Sequence, residues 1–262
     1  MTAIDERFAE LRRANRPALM PYLCAGFPDA ATFRSLLRAA ADAGSDLVEI
    51  GVPFSDPIAD GPAIQHASHE ALVAGATPDR ALAWSRDLAG PAKVVMTYAN
   101  VVLARGAAAF FRRASAAGFS GAIIPDLTPE AARRHVNGAS GLDLIPMIAP
   151  TTTPARMRTL VKGRGGFVYL VSVAGVTGAR RDLPAGLEAF VQRVKRETPR
   201  PVCVGFGIAT TAHAAAVGRY ADGVIVGSAL VRIIREAGKR HAARNVGIFL
   251  GRMRRALDAS RR

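Results

Sequence analysis

Eight apolar segments of strand length recur along this chain with helical patterns between them, and that alternation limits the fold more than any other feature. The predicted strands lie near Leu19–Cys24, Leu47–Ile50, Val94–Thr97, Ala122–Pro125, Leu144–Met147, Val168–Val171, Val202–Val204 and Val224–Val226. Amphipathic stretches such as Ala30–Ala43, Ala107–Ala117, Ala155–Lys162 and Leu187–Glu197 separate them. Strands that alternate with helices form a parallel sheet, and eight is the number that closes it into a (β/α)8 barrel. The rival is a six-stranded doubly wound sheet. That fold normally opens with a Gly-rich dinucleotide loop, and none follows the first strand here.

The length of 262 residues suits one such barrel, so the expected organisation is a single domain over residues 1–262. The first sixteen residues are charged and lack the apolar core of a secretory signal. They predict an extra N-terminal helix with Ile4, Phe8 and Leu11 on one side. No apolar run approaches the roughly 18 residues of a membrane span, so a cytoplasmic location is expected. Cys24 and Cys203 both sit in apolar strands and read as buried thiols rather than a disulfide.

The net charge of +14 raises the question of a polyanionic partner. From Leu230 to Arg262 ten basic residues face only Glu236 and Asp258. Yet Ile233, Ile234, Ile248, Phe249, Met253 and Leu257 interrupt them at helical intervals. Amphipathic helices with a solvated Arg face account for that pattern, and nucleic acid is not the expected partner.

The connection between Gly51 and Val94 is the longest and carries the segment GVPFSDPIADGP. Loops that follow barrel strands emerge at the C-terminal face, where these folds place their chemistry. In the strand before it, side chains alternate. Val48 and Ile50 suit the helix-facing side, which puts Glu49 inside the barrel. A carboxylate held there is partly desolvated, its pKa rises toward neutrality, and it can both give and take protons. Asp60 follows eleven residues later and would hang over the barrel mouth. Two carboxylates in different surroundings can divide the roles. Asp56 lies in the same loop, and residue chemistry does not choose between them.

Three Gly-containing turns follow late strands: Gly175-Val176-Thr177-Gly178, Gly205-Phe206-Gly207 and Gly227-Ser228. Glycine lets main-chain amides approach phosphate oxygens, and the short helix expected from Ser228 adds its dipole. The loop GVTGARRDLPAG could close over a ligand, or could leave Arg180 and Arg181 in solvent. His66 and His69 lack acidic or thiol partners at ligand spacing, so no metal site is expected. His135, His213 and His241 are isolated in sequence, and nothing beside Cys24 would activate it.

The segments PYLCAGFPD (21–29), DLVEIGVPFSDPIADGPAIQ (46–65), YAN (98–100), PDLTPE (125–130), YLVSVAGVTGAR (169–180), GFGI (205–208) and VGSALV (226–231) resemble the tryptophan synthase alpha subunit family. The similarity runs in order from about residue 15 to residue 235. It implies a lyase that splits indole-3-glycerol phosphate into indole and glyceraldehyde 3-phosphate. By this resemblance Glu49 is the general acid–base and Asp60 the carboxylate facing the indole N–H. Gly178, Gly207, Gly227 and Ser228 match phosphate-binding positions. Tyr169 matches an active-site tyrosine, and Tyr22, Met96, Ile123 and Phe206 match the lining of the indole pocket. Pro53, Asp56 and Asn100 match the contact with a beta subunit. An alpha2beta2 complex is thereby implied, with pyridoxal phosphate in the beta subunit and no cofactor or metal in this chain. Two departures stand out: Glu70 occupies a position where Arg is frequent, and Val173 and Ala174 make the loop after the sixth strand more apolar.

Overall fold

The computed structural model describes residues 2–104, 106–136, 141–162, 165–171, 183–205 and 207–261. Its strands are β1 (Ala18–Cys24), β2 (Leu47–Gly51), β3 (Ala92–Met96), β4 (Phe119–Ile123), β5 (Asp143–Leu144), β6 (Met147–Ile148), β7 (Val168–Val171), β8 (Val202–Gly205) and β9 (Gly223–Val226). They form one sheet in the order β5-β4-β3-β2-β1-β9-β8-β7-β6, with parallel pairing throughout. The two ends of that order are separated in sequence only by Ile145 and Pro146. Ile145 N donates to Ala122 O at 2.9 Å, and Pro146 O accepts from Tyr169 N at 2.9 Å. β5 and β6 are therefore halves of one strand, and the sheet closes on itself as an eight-stranded barrel.

Proline explains the break in the fifth strand and the early end of the fourth, while the third begins two residues earlier than expected, at Ala92. The fifth strand, expected over Leu144–Met147, is interrupted because Pro146 has no N–H for the ladder. The fourth, expected over Ala122–Pro125, runs earlier and stops at Ile123. Pro125 again lacks a donor, and the Ile124 carbonyl turns to accept from Leu127 N at 3.1 Å.

One end of the barrel is sealed. The helix Ala3–Arg13 forms as predicted, capped by Thr2, with Ile4, Phe8 and Leu11 buried. Phe8 packs on Phe167 with ring centroids 5.8 Å apart. The Ile4 side chain presses so close to Gly121 of β4 that a methyl group there would collide with it. With that end plugged, the opposite, C-terminal end is the one left for a ligand.

The last helix, Ser228–Ala259, is broken at Gly238, whose φ of 63° is left-handed. Beyond the break, Met253 and Leu257 are buried as expected, together with Ala242, Val246 and Leu250, whereas Phe249 is half-buried and Ile248 is turned outward. Arg240, Arg244, Arg252 and Arg255 form the expected solvated face. Arg254 is a correction, because it is 6% exposed rather than solvated. Its guanidinium reaches Asp46 at 2.9 Å, Asp258 at 2.8 Å and the Pro17 carbonyl at 3.0 Å. A buried charge needs such partners, and Arg supplies a planar fork that can meet several at once.

Candidate active site

The alternation along β2 places Glu49 inside the barrel, 1% exposed. Its neighbours in register are Tyr22 of β1 and Val94 of β3. Among the described residues, Glu49 Oε2 meets no hydrogen-bond partner. Burial, with the nearby Asp60 charge adding to it, pushes the Glu49 carboxyl up to about 8. An unpartnered buried carboxyl is costly unless it stays neutral, and a neutral carboxyl is a proton donor.

Asp60 ends the loop after β2 and is 4% exposed. Burial lifts it to about 6, and the Tyr98 hydroxyl, hydrogen-bonded to it, pulls the other way. Tyr98 follows β3 and also accepts from Ala59 N at 3.1 Å. Its ring stacks on Phe54, with centroids 5.2 Å apart. Residues 54–60 are thus fastened to the end of β3, and Asp60 is fixed through them. Asp56, by contrast, is exposed, beside Ser55, and does not border the cavity.

The space around these acids is made by two tyrosine–glycine pairs. Tyr22 of β1 lies over Gly51 of β2, and Tyr169 of β7 lies over Gly205 of β8. A Cβ on either glycine would overlap the phenol. Only a residue without a side chain lets each ring lie flat in the barrel. Between them opens a cleft of about 450 Å³, its open mouth included. Glu49 and Asp60 border it together with Tyr22, Met96 and Tyr169, and Ile64, Ile208 and Ile225 add apolar wall.

Gly207, Gly227 and Ser228 border the same cleft. Gly207 has φ +83°, and Gly227 is the residue from which the helix Ser228–Ala259 starts. The first helical bonds run from Leu230 N and Val231 N to Gly227 O, so the amides of Ser228 and Ala229 precede them at the tip. Helix tips of this kind attract anions through oriented amides and the helix dipole. His213, isolated in sequence, is buried behind this wall, with Nδ1 3.0 Å from the Gly207 carbonyl.

Of the other residues singled out in the sequence, Ile123 is fully buried opposite Met96 and does not border the cleft. Gly178 and Phe206 lie outside the described residues, as do Val173, Ala174, Arg180 and Arg181. Pro53 is buried, whereas Asp56 and Asn100 are exposed. Near Asp56 the loop presents Ile58, 77% exposed, and Leu103 is also partly exposed three residues beyond Asn100. His66 pairs with Glu70 at 2.8 Å rather than standing alone in solvent. No group of three or more potential metal ligands occurs among the described residues. None of their helices is long and apolar enough to cross a membrane. Sequence reasoning missed Tyr98, His213, Ile64, Ile208 and Ile225. Tyr98, Ile64 and Ile208 lie within the segments YAN, 46–65 and GFGI, and Ile225 within a predicted strand, but nothing local showed which side chains would meet at the cleft.

A family model described as tryptophan synthase alpha chain matches residues 8–257. The tryptophan synthase alpha chain of Carboxydothermus hydrogenoformans is 47% identical over 240 residues, covering 89% of this chain and 90% of its own. That of Synechococcus sp. strain CC9902 is 42% identical, covering 98% of both. Among solved structures, Mycobacterium tuberculosis tryptophan synthase superposes with a TM-score of 0.90 at 39% identity, covering 98% of both chains. The alpha subunit from Legionella pneumophila strain Paris gives 0.89 at 35% identity, covering 99% of both.

Proposed function

The chain belongs to the tryptophan synthase alpha chain family, and on that premise we propose that Glu49 and Asp60 carry out the retro-aldol cleavage of indole-3-glycerol phosphate. The observation that carries this assignment is a protonatable carboxyl with an unpartnered oxygen, sharing one cleft with a second, more acidic carboxyl. Near pH 7 the two lie on opposite sides of their pKa values, about 8 and about 6, so Glu49 is neutral and Asp60 is charged.

Glu49 gives its proton to C3 of the indole ring. The positive charge that results spreads to the ring nitrogen, whose N–H faces the Asp60 carboxylate. Glu49, now ionised, takes the proton from the glycerol hydroxyl next to the ring. The carbon–carbon bond breaks, its electron pair returns to the ring, and the hydroxyl-bearing carbon becomes the aldehyde. The products are indole and glyceraldehyde 3-phosphate, and Glu49 ends as it began. The chemistry draws on these side chains, without a metal or organic cofactor in this chain.

Tyr22, Met96 and Tyr169, with Ile64 and Ile225, form an apolar slot suited to a flat ring. The phosphate goes to Gly207, Gly227 and Ser228, where amides and the helix tip favour an anion. Gly178, Phe206 and Ile123 complete the set by resemblance to the family. Exposed Ile58, beside Asp56 and near Pro53 and Asn100, supports a contact surface for a beta subunit. That subunit would hold pyridoxal phosphate and receive the indole in an alpha2beta2 complex, in the cytoplasm. All 262 residues serve as one barrel domain.

The test is release of indole from indole-3-glycerol phosphate by the purified chain, alone and with a beta subunit. Cleavage in both, faster with the partner, is expected. Equal rates would make this a free-standing lyase, and no indole under either condition would refute the assignment.

A further inference from the structure

We propose that His213 is the positioning residue of the phosphate cradle, holding the Gly207 carbonyl outward so that the next amide faces the ligand. The inference rests on the reading of Gly207, Gly227 and Ser228 as that cradle.

His213 lies in the helix Thr211–Gly218, and Thr210 caps that helix by accepting from the His213 N–H at 3.1 Å. The ring is buried and turned back toward the turn after β8. Nδ1 stands 3.0 Å from the Gly207 carbonyl and 3.4 Å from the Ala209 N–H. The two contacts ask opposite things of one nitrogen. A bond to the carbonyl needs a proton on Nδ1, whereas a bond from Ala209 needs a lone pair there. A bare nitrogen 3.0 Å from a carbonyl oxygen would set two lone pairs against each other. In this proposal the shorter contact is the bond, with the proton on Nδ1.

A trans peptide is planar, with its C=O and N–H pointing in opposite directions. Fixing the Gly207 oxygen toward His213 turns the Ile208 N–H the other way. Gly207 and Ile208 both border the cleft that contains Glu49, and His213 does not. The ring thus grips the peptide from behind while the amide on its far edge meets the ligand. Gly207 is the residue where this grip matters, because its left-handed φ of +83° lets the peptide take an orientation that other residues adopt at a cost. Without a partner on the carbonyl, a glycine hinge would let that peptide plane rotate.

Variants separate the bond from mere space-filling. His213→Leu fills the volume without a donor. His213→Asn places an N–H at the same distance along the side chain as Nδ1. Binding of inorganic phosphate and of glycerol 3-phosphate would be followed by calorimetry, and KM and kcat by indole release. We expect His213→Leu to weaken both phosphate ligands, and to raise KM, by about 3- to 10-fold, the range of one neutral hydrogen bond. kcat and the affinity for free indole, which carries no phosphate, should stay near wild type. His213→Asn should recover most of the loss. Unchanged phosphate affinity in a folded His213→Leu protein would overturn the proposal, as would His213→Asn binding as weakly as His213→Leu. A Gly227→Leu variant read in the same assay tells the two levels apart. If it binds phosphate normally, the cradle itself is misplaced and the role of His213 falls with it; if it alone is impaired, only the positioning role fails.

Discussion

Asp46 and Glu49 are three residues apart, flanking and within the same strand, and both are almost completely buried, at 3% and 1% exposure. Their surroundings could hardly differ more. Asp46, at the sealed end, accepts from Leu19 N at 2.9 Å and meets Arg254 at 2.9 Å. Burial pushes its carboxyl up, and the Leu19 amide and the Arg254 charge oppose that push. Glu49, at the open end, has an oxygen with no partner among the described residues and is driven up to about 8. One barrel therefore handles the same problem, a desolvated acid, in two ways. At the closed end the charge is matched and the acid holds the structure together. At the open end the match is withheld, and in the proposed function the strain of the unpaired group becomes reactivity toward a ligand.

Substitutions at the two ends test that division. The largest effect expected is on chemistry. Glu49→Gln should lower kcat for indole release by about 100- to 10,000-fold, the contribution of a positioned general acid–base, while glycerol 3-phosphate still binds. Near-normal turnover would erase the distinction between the two acids. Next comes Arg254→Met, which strands the buried Asp46 carboxylate. Breaking a buried pair costs about 3 kcal/mol of stability. Denaturant unfolding should show that loss, with turnover per folded molecule unchanged. A collapse of turnover without loss of stability would place Asp46 in the active site instead.

A smaller effect concerns pH. Folded Glu49 keeps its proton up to about pH 8, whereas a glutamate in the unfolded chain releases it near 4.5. Between those values the folded state binds the extra proton, so the stability linked to this group is full below about pH 4.5 and is lost as pH rises to about 8. Unfolding free energies of wild type and Glu49→Gln should diverge across that window in favour of the variant. The gap should widen steadily toward the alkaline end of that window. Parallel pH profiles would mean that Glu49 is not strained. The smallest effect is expected from Glu70→Ala. Its pairing with His66 is 42–43% exposed on both sides, and surface pairs of that kind are worth less than about 1 kcal/mol. A larger drop in the melting temperature would show that this departure from the common Arg has a structural role.

Glu49 was legible from the strand alternation alone, because period-two geometry assigns each side chain a face before any tertiary contact is known. The N-terminal helix and its three buried residues were legible for the matching reason at helical period. Arg254 was not. Its neighbours Arg252 and Arg255 are solvated, and a run of arginines gives no sign of which one a distant aspartate will claim. The contact of Tyr98 was illegible in the same way, since it acts on a loop supplied by another part of the chain. The fifth strand was legible as an element but not as two halves: the pattern of apolar residues passes through Pro146 without a break, and only the missing amide interrupts it.

Local order along the chain thus determined the barrel, the inward face of β2 and the glycine turns, because periodicity and backbone freedom are properties of neighbouring residues. Tertiary structure decided which acid is matched and which is left alone, which arginine is buried, and which ring fastens the loop after β2. Those outcomes depend on desolvation and on partners far away in sequence, and neither exists until the barrel has closed.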